Sequence, residues 1–532
     1  MKEALQEAKR RTAGLIKKNP RYESFKKQYR NDPVAFIHDC IEGIKPTFYQ
    51  DEIGANIVKY KREAVRGPHV IGKTAIASLL VHWFALSRDG EDWKIITTAS
   101  VWRQLSKYLW PEIHKWARKI RWNKIGRQSY DNRLELQMLS LKLGTGEAFA
   151  VASDNHEHIE GAHADHIFYI FDEGKAIPNK TWEAAEGALS GTGEAFALAI
   201  STPGDPIGVF YDIHSRKRGY DEWHATHITK DDAIKSGRMS LEWAKAKEKL
   251  WGSESSIFKN RVEGEFAAGD ESGIAPLSWI EAANERWWAW VETGRMGKAA
   301  VLSSDIAAGG SNKTVVTDLF EQCGACDLVY SEFDEFDHKN EKRFATARTS
   351  ARLTERVTIK SHSLGIIVDA VGIGDGVASN LTQKFGTEKV IAFKGGMAAE
   401  HECYGKKEKI FDGTGTFVFK NLNSLAWYML HEKLNPDSQI KIALPPKDKL
   451  TGDLVNRRYE KRSDGVIVVE SKEEMIKRVK AEIDEAITSP DDGDTAAMAI
   501  YAYYHGFDKS LKSKPSIAVM PRTERQIYGD MP

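Results

Sequence analysis

The segment Gly67-Pro68-His69-Val70-Ile71-Gly72-Lys73-Thr74 has the form Gly-x4-Gly-Lys-Thr and lies between two stretches of opposite character. REAVR before it is short and strand-like; TAIASLLVHWFAL after it is apolar and helical. A strand that turns through glycines straight into a helix leaves the unpaired N–H groups of the first helical turn around a small hollow, which attracts phosphate. There Lys73 would neutralise β and γ oxygens of a nucleotide, and the Thr74 hydroxyl would ligate Mg2+. Such a loop belongs to an α/β arrangement with a largely parallel sheet.

The flanking sequence has that alternation from about Glu63 to Ser201. Short β-rich runs (Lys94–Thr98, His166–Phe171, Ala195–Ile200) are separated by helical stretches such as Lys73–Ser87 and Val101–Lys119. The run His166–Phe171 ends in Asp172-Glu173. The first acid can hold a Mg2+ shell and the second can polarise an attacking water. Another strand ends in Ser201-Thr202-Pro203, whose hydroxyls suit sensing of the γ-phosphate; simple turn chemistry is the alternative. Tyr49-Gln50, about twenty residues upstream of the loop, would let the Gln amide read an adenine edge.

A second α/β pattern begins at Ala299 and runs to about Tyr504. Three carboxylates stand out in it. Asp305 ends VLSSD, Asp369 ends GIIVD, and Asp494 opens DTAAMAIYAYY. Two strand ends and a helix start can converge at one sheet edge and hold two Mg2+ or Mn2+ ions for phosphodiester hydrolysis. The same positions also suit turn acids and a helix N-cap, so spacing alone leaves both readings open.

Composition sets the outer bounds. The chain of 532 residues has room for several domains, and 41% hydrophobic with 29% charged residues is globular. Lys plus Arg number 76 and Asp plus Glu 76, so bulk charge argues neither for nor against nucleic acid. Four cysteines are too few for a disulfide scaffold and indicate a reducing compartment. The charged start carries no signal peptide, and the longest apolar run, Ala75–Leu86, is too short for a bilayer. The expectation is a soluble intracellular protein.

The order of these pieces resembles the large terminase subunit of tailed bacteriophages over about residues 46–505. The resemblance rests on PTFYQDEI, RGPHVIGKT, HIEGAHADHIFYIFDEGKAIP, AISTPG and FKNRVEGEF in the first half. In the second it rests on SSDIAAGGSNKTVV, IIVDAVGIGDGV, and GVIVVESKEEMIKR leading to SPDDGDTAAMAI. It implies an α/β chain of two domains in series, a P-loop (RecA/ASCE-like) ATPase followed by an RNase H-like nuclease. The expected division is a helical segment 1–45, an ATPase domain 46–266 with a helical lid region from about 205, a linker 267–298, a nuclease domain 299–505 and a tail 506–532.

Carried across motif by motif, Gln50 would read adenine, and Gly67, Gly72, Lys73 and Thr74 would form the phosphate and Mg2+ site. Asp172 would be the metal-shell acid, Glu173 the catalytic glutamate and Thr202 the coupling residue. Asp305, Asp369 and Asp494 would be the catalytic nuclease metal ligands, with Asp491 or Asp492 able to share the third role. The family has Ala where this chain has Gly174, and its SPDxADAL reads SPDDGDTA here. The arginine that terminases insert into a neighbour's pocket has candidates in Arg66, Arg103, Arg127 and Arg133. The implied function is ATP-driven translocation of double-stranded viral DNA into a procapsid, with metal-dependent endonucleolytic cutting. ATP, Mg2+ and two Mg2+ or Mn2+ ions are the implied cofactors. The implied partners are DNA, the small terminase subunit and the portal protein, with a homo-oligomeric ring in the host cytoplasm and no membrane.

Other features are read as structural. Cys323-Gly-Ala-Cys326 lacks a second pair for zinc, and His156, His158, His163 and His166 match no common ligand spacing. Trp287, Trp288 and Trp290 read as a packing anchor, and the basic runs as solvated faces, those at 457–478 being suited to phosphate contact. A cellular helicase-like or repair ATPase-nuclease is the alternative function. A helicase would need a second RecA-like domain, whereas residues 299–505 carry the acid triad. A non-catalytic capsid or portal adaptor would need neither Lys73 nor Glu173.

Overall fold

The structure, a computed structural model, describes residues 19–153, 163–189, 193–269, 272–307, 313–324, 326–337, 344–403, 406–483, 489–507 and 518–519. The expectations for residues 1–18, for His156 and His158, and for most of the tail lie outside them. The chain divides into two compact units, Met1–Ala244 with Lys259–Ala267, and Lys245–Phe258 with Ala268–Pro532.

In the first unit, apolar strands buried on both faces make a mainly parallel sheet. Its strands are β1 (Arg62–Arg66), β2 (Trp93–Ala99), β3 (Leu136–Gln137), β4 (Ser140–Lys142), β5 (Gly146–Ala152), β6 (His166–Asp172), β7 (Glu194–Ser201) and β8 (His224–His227). They lie in the order β3-β4-β5-β2-β6-β7-β1-β8. All pairings from β5 to β8 are parallel. Register aligns Asp172 with Ile200 and Arg66 with Ser201, so β6, β7 and β1 end at one edge of the sheet. Ligands of parallel sheets bind at such carboxyl ends.

Two helices serve that edge. Helix α1 (Phe48–Tyr60) starts at a capping box in which the Thr47 and Gln50 side chains satisfy each other's backbone N–H groups. Helix α2 (Lys73–Ser87) follows the loop directly, and from Ile76 onward its residues are buried. Its start is Gly72 at φ 82°, where a side chain would be strained and a Cβ would sit 2.8 Å from Gln50 Nε2. Phe168, Ile170, Phe196 and Leu198 are fully buried, each contributing about 2 kcal/mol, and they hold the strand ends rigidly.

The second unit is built on a mixed sheet. Helix α3 (Leu277–Thr293) precedes β9 (Arg295–Asp305), β10 (Thr314–Glu321), β11 (Leu328–Tyr330) and β12 (Asp334–Phe336). Helix α4 (Ala345–Lys360) then leads to β13 (Gly365–Asp369) and β14 (Val390–Phe393). The order is β14-β13-β9-β10-β11, extended by the short strand Ile442–Ala443, with β12 on β10. β9, β10 and β11 form an antiparallel meander, while β13 and β14 run parallel to β9. This is RNase H-like topology. Register sets Val368 beside Ser304, which brings Asp369 and Asp305 to adjacent strand ends.

Helix α3 belongs to this unit. Trp287 and Trp290 are buried with Phe320, Val329, Cys323 and Cys326, and the Trp287 indole donates to Tyr330 O at 2.8 Å. Cys323 and Cys326 are free thiols pushed up by burial, Cys326 to about 11. Residues 245–258 also pack here, because Lys247 pairs with Asp448, the Trp251 indole donates to Asp448 O at 3.0 Å, and Trp251 O accepts from Asn456. Three further helices complete what positions the site: α5 (Leu422–Leu434), α6 (Lys472–Ile483) and α7 (Asp491–Tyr501). Helix α7 is fixed to the sheet by Ser303 Oγ donating to Thr495 O at 2.8 Å and Tyr330 OH donating to Ala496 O at 2.8 Å.

One buried charge carries much of the α4 packing. Asp318 on β10 is fully buried and meets Arg356 at 2.7 Å, Lys360 at 2.9 Å and His362 Nε2 at 2.8 Å. Burial alone would push its carboxyl up, but Arg356, His362 and Lys360 hold it well below the usual range. Asp318→Ala leaves the Arg356 and Lys360 cations without their buried counter-charge and should cost about 3 kcal/mol. A carboxyl with a depressed folded value stabilises only where it ionises. The gap between parent and variant should therefore be full above about pH 4 and shrink below it. Thermal melts from pH 3 to 7 would check this; a gap unchanged at pH 3 would refute it.

Candidate active sites

At the edge of the first sheet, the loop 67–72 closes on its own lysine. Lys73 Nζ donates to Gly67 O at 3.0 Å, Pro68 O at 2.6 Å and Thr202 Oγ1 at 3.1 Å. Burial lowers its ammonium to about 8, with Glu173 and Asp172 opposing the fall. Gly67 N–H donates to Ser201 O at 3.3 Å, and His69 N–H to Arg261 O at 3.1 Å. Helix α1 braces the loop: Tyr49 OH donates to Ile71 O at 3.0 Å and Gln50 Nε2 to Gly72 O at 3.1 Å. Gln50 Oε1 accepts from Thr47 N–H at 3.0 Å, so both ends of its amide are engaged. Thr74 stands half-buried in the first turn of α2.

Asp172 and Glu173 come off β6 facing this loop. Asp172 is buried, and burial with the neighbouring Glu173 pushes its carboxyl up to about 7. A carboxyl in that state gains from a cation brought beside it, as a Mg2+ shell ligand requires. Glu173 turns at φ 55°, ψ 51°, a left-handed backbone uncommon for a non-glycine residue and one that functional sites concentrate. Lys175 Nζ lies 3.8 Å from its carboxylate. Thr202 is buried at the end of β7 with Lys73 on its hydroxyl. The structure thus brings Gln50, Lys73, Asp172, Glu173 and Thr202 to one edge. Of the arginine candidates, Arg66 pairs with Glu265 at 2.7 Å and Arg127 with Glu135, Arg103 donates to Tyr108 OH, and Arg133 is exposed.

The second unit gathers carboxylates around an ammonium. Lys472 Nζ lies 2.7 Å from Asp491 Oδ1 and 3.9 Å from both Asp305 Oδ2 and Asp494 Oδ2. Burial would lower Lys472, yet Asp494, Asp305 and Asp491 push it up. Burial raises Asp305 well above its usual range; Lys472 opposes this, while Asp494, Asp491 and Asp369 add to it. Asp369 is pushed up to about 6 by burial and then by Asp494. Four acids crowded together, of which Asp305 and Asp369 resist ionising, with a cation already among them, fit a multivalent cation. As they stand, no three His, Cys, Asp or Glu groups among the described residues surround a common metal position. Lys472 is where the charge demand is met.

Asp492 turns away. It is buried against Lys447 at 2.9 Å and Lys449 at 3.5 Å, beside Asp453, whose carboxylate accepts from Gly493 N–H at 3.0 Å. Asp491 therefore lies with Asp305, Asp369 and Asp494 around Lys472, whereas Asp492 pairs with Lys447 and Lys449, the latter also 3.9 Å from Asp491 Oδ2. Sequence reasoning missed Lys472, whose segment GVIVVESKEEMIKR it quoted only for likeness, and Trp427, whose indole donates to Asp494 Oδ1 at 2.8 Å.

No protein-family model matches the chain. A probable large terminase subunit of Enterobacteria phage P7 is 24% identical over 393 residues, 69% of this chain and 74% of that protein. The chain resembles a large terminase subunit. Solved structures with terminase likeness include the large terminase of a thermophilic bacteriophage, 13% identical over 87% of this chain and 100% of that one, at a TM-score of 0.38. The ATPase domain of the Thermus phage P74-26 large terminase is 21% identical over 44% of this chain and 98% of that one, at 0.35. The nuclease domain of the large terminase subunit gp2 of bacterial virus Sf6 is 17% identical over 43% and 98%, at 0.30. Among the described residues no helix is long and apolar enough to cross a membrane.

Proposed function

We propose that the chain is the motor and nuclease of a viral DNA-packaging machine. It hydrolyses ATP in the first unit to drive double-stranded DNA into a procapsid, and with divalent metal it cuts concatemeric DNA in the second. The observation that carries this reading is the pairing of two sites in one chain: a phosphate loop facing Asp172-Glu173, and a carboxylate cluster on Lys472. Sequence similarity to the phage P7 protein supplies the setting.

In the motor, Lys73 would exchange the Gly67 and Pro68 carbonyls for β and γ oxygens of ATP. Thr74 and the Asp172 shell would hold Mg2+, which when bound neutralises the phosphate charge. Glu173 would orient and deprotonate the attacking water. Thr202 loses its Lys73 contact when that lysine turns to phosphate, which gives the end of β7 a means of sensing occupancy. Gln50 would read adenine by giving up the Gly72 carbonyl.

In the nuclease, Asp305, Asp369 and Asp494 would hold two Mg2+ or Mn2+ ions, with Asp491 sharing the third position. Bound, these supply an activated water and stabilise the leaving oxygen. Lys472 would yield its place to them. The partners proposed are DNA, the small terminase subunit, the portal and neighbouring copies in a ring, in the host cytoplasm.

The test follows from the ring. An arginine from a neighbour stabilises charge on the transferring phosphoryl only in the assembly. ATP turnover per chain should therefore rise with protein concentration and on adding procapsids that carry their portal. Turnover that stays flat from dilute chain to assembled motor would overturn the packaging reading.

A further inference from the structure

Trp427 has a place in the second site that packing alone does not account for. It lies on α5, fully buried, and its single N–H donates to Asp494 Oδ1 at 2.8 Å. The other oxygen of that carboxylate, Oδ2, is the one that faces Lys472, at 3.9 Å. The indole bond therefore divides the carboxylate, with one oxygen tied to the scaffold and one presented to the cluster of Asp305, Asp369 and Asp491.

The ring is itself held from two sides. The Arg457 guanidinium, 1% exposed, stacks on it at 4.8 Å from the ring centroid. On the helix side, a Cβ added at Gly493 would come within 2.3 Å of Trp427 Cη2 and 3.1 Å of Cζ2. Both are ring atoms of a fully buried side chain, so a side chain at 493 would force the ring to shift. Gly493, next to Asp494, is therefore the clearance that lets the indole reach the carboxylate. The glycine in SPDDGDTA, where terminases carry alanine, has a physical reason here.

We propose that Trp427 is the positioning residue for Asp494, orienting its carboxylate so that one oxygen serves a divalent cation, with Gly493 and Arg457 holding the ring in place. This rests on the reading of Asp494 as a metal ligand. Outer-shell partners of ligating carboxylates set metal affinity, and losing one costs about 10-fold or more.

The test uses the full-length, nucleotide-free chain and Mn2+ alone, with free Mn2+ followed by electron paramagnetic resonance. Trp427→Phe keeps most of the ring and removes the N–H. It should weaken Mn2+ binding about 10-fold in the parent, and by less than about twofold in an Asp494→Ala background, because the effect acts through that carboxylate. Parental affinity in Trp427→Phe, or equal losses in both backgrounds, would overturn the proposal. Should Trp427→Phe show no melting transition, Gly493→Ala displaces the same ring and carries the same cycle with the same two outcomes. A parent that takes up no Mn2+, or Asp494→Ala with parental affinity, would overturn the metal-ligand reading and this proposal with it. Loss in Asp494→Ala without loss in Trp427→Phe removes the proposal alone.

Discussion

Replacing Lys73 by alanine should reduce ATP turnover at least about a thousandfold, the scale on which a cation facing the γ-phosphoryl acts. The variant loses the charge and also frees the Gly67 and Pro68 carbonyls that its ammonium now holds. Glu173→Gln should differ in kind. It keeps the side-chain volume and leaves the phosphate loop untouched, so a fluorescent ATP analogue should bind with near-parental affinity while hydrolysis falls by a comparable factor. The split is expected because, in the proposed mechanism, affinity rests on the loop and Lys73 and water activation on the strand-end glutamate. Parental turnover in Glu173→Gln would remove that residue from the chemistry, while a loss of binding in it would make its role structural.

Asp369→Ala and Asp305→Ala should each abolish Mn2+-dependent plasmid cutting by the purified chain in the absence of ATP. ATP turnover should survive in both. Each acid is at a strand end in the cluster around Lys472, and removing one leaves an ammonium with one fewer counter-charge and no place for a second cation. Ca2+ should bind and support little cutting, because its larger radius and looser geometry misplace the nucleophile. Undiminished cutting by Asp369→Ala would end the metal-site assignment. Asp494→Ala alone remaining active would move the third position to Asp491, whose carboxylate is already 2.7 Å from Lys472. Asp492 pairs instead with Lys447 and Lys449.

Much of the first sheet could be read from residues because parallel strands advertise themselves. His166–Phe171 is apolar without alternation, as a strand buried on both faces must be, and the helix over Lys73–Ser87 follows its glycine directly. The ends of such strands fall where the apolar run stops, so Asp172, Asp305 and Asp369 could be placed from sequence. Side chains that act from another element could not. Trp427 is one apolar residue in a helix buried almost throughout, and no periodicity tells which ring meets a carboxylate 67 residues away. Lys472 reads as one cation among several in SKEEMIKR. Helix α3 reads as a connector because glycines and prolines precede it, yet its tryptophans are core. Residues 245–258 look like a continuation of the preceding helical run, and the contacts of Lys247 and Trp251 with Asp448 and Asn456 assign them to the second unit.

The bonds that Lys73 makes to its own loop also bear on how fast a spent nucleotide leaves. The two carbonyls and the hydroxyl on which the ammonium is seated compete intramolecularly with a phosphate for it, at a fixed, high local concentration. A nucleotide bound as proposed would have to displace them, which would lower equilibrium affinity. The same displacement run backwards would give a departing diphosphate an exit, since the lysine can swap one set of oxygens for the other without passing through a bare, desolvated charge. A motor of the kind proposed would gain from weak retention of product. The residue expected to grip the fuel is in this way also the one that helps to expel the ash.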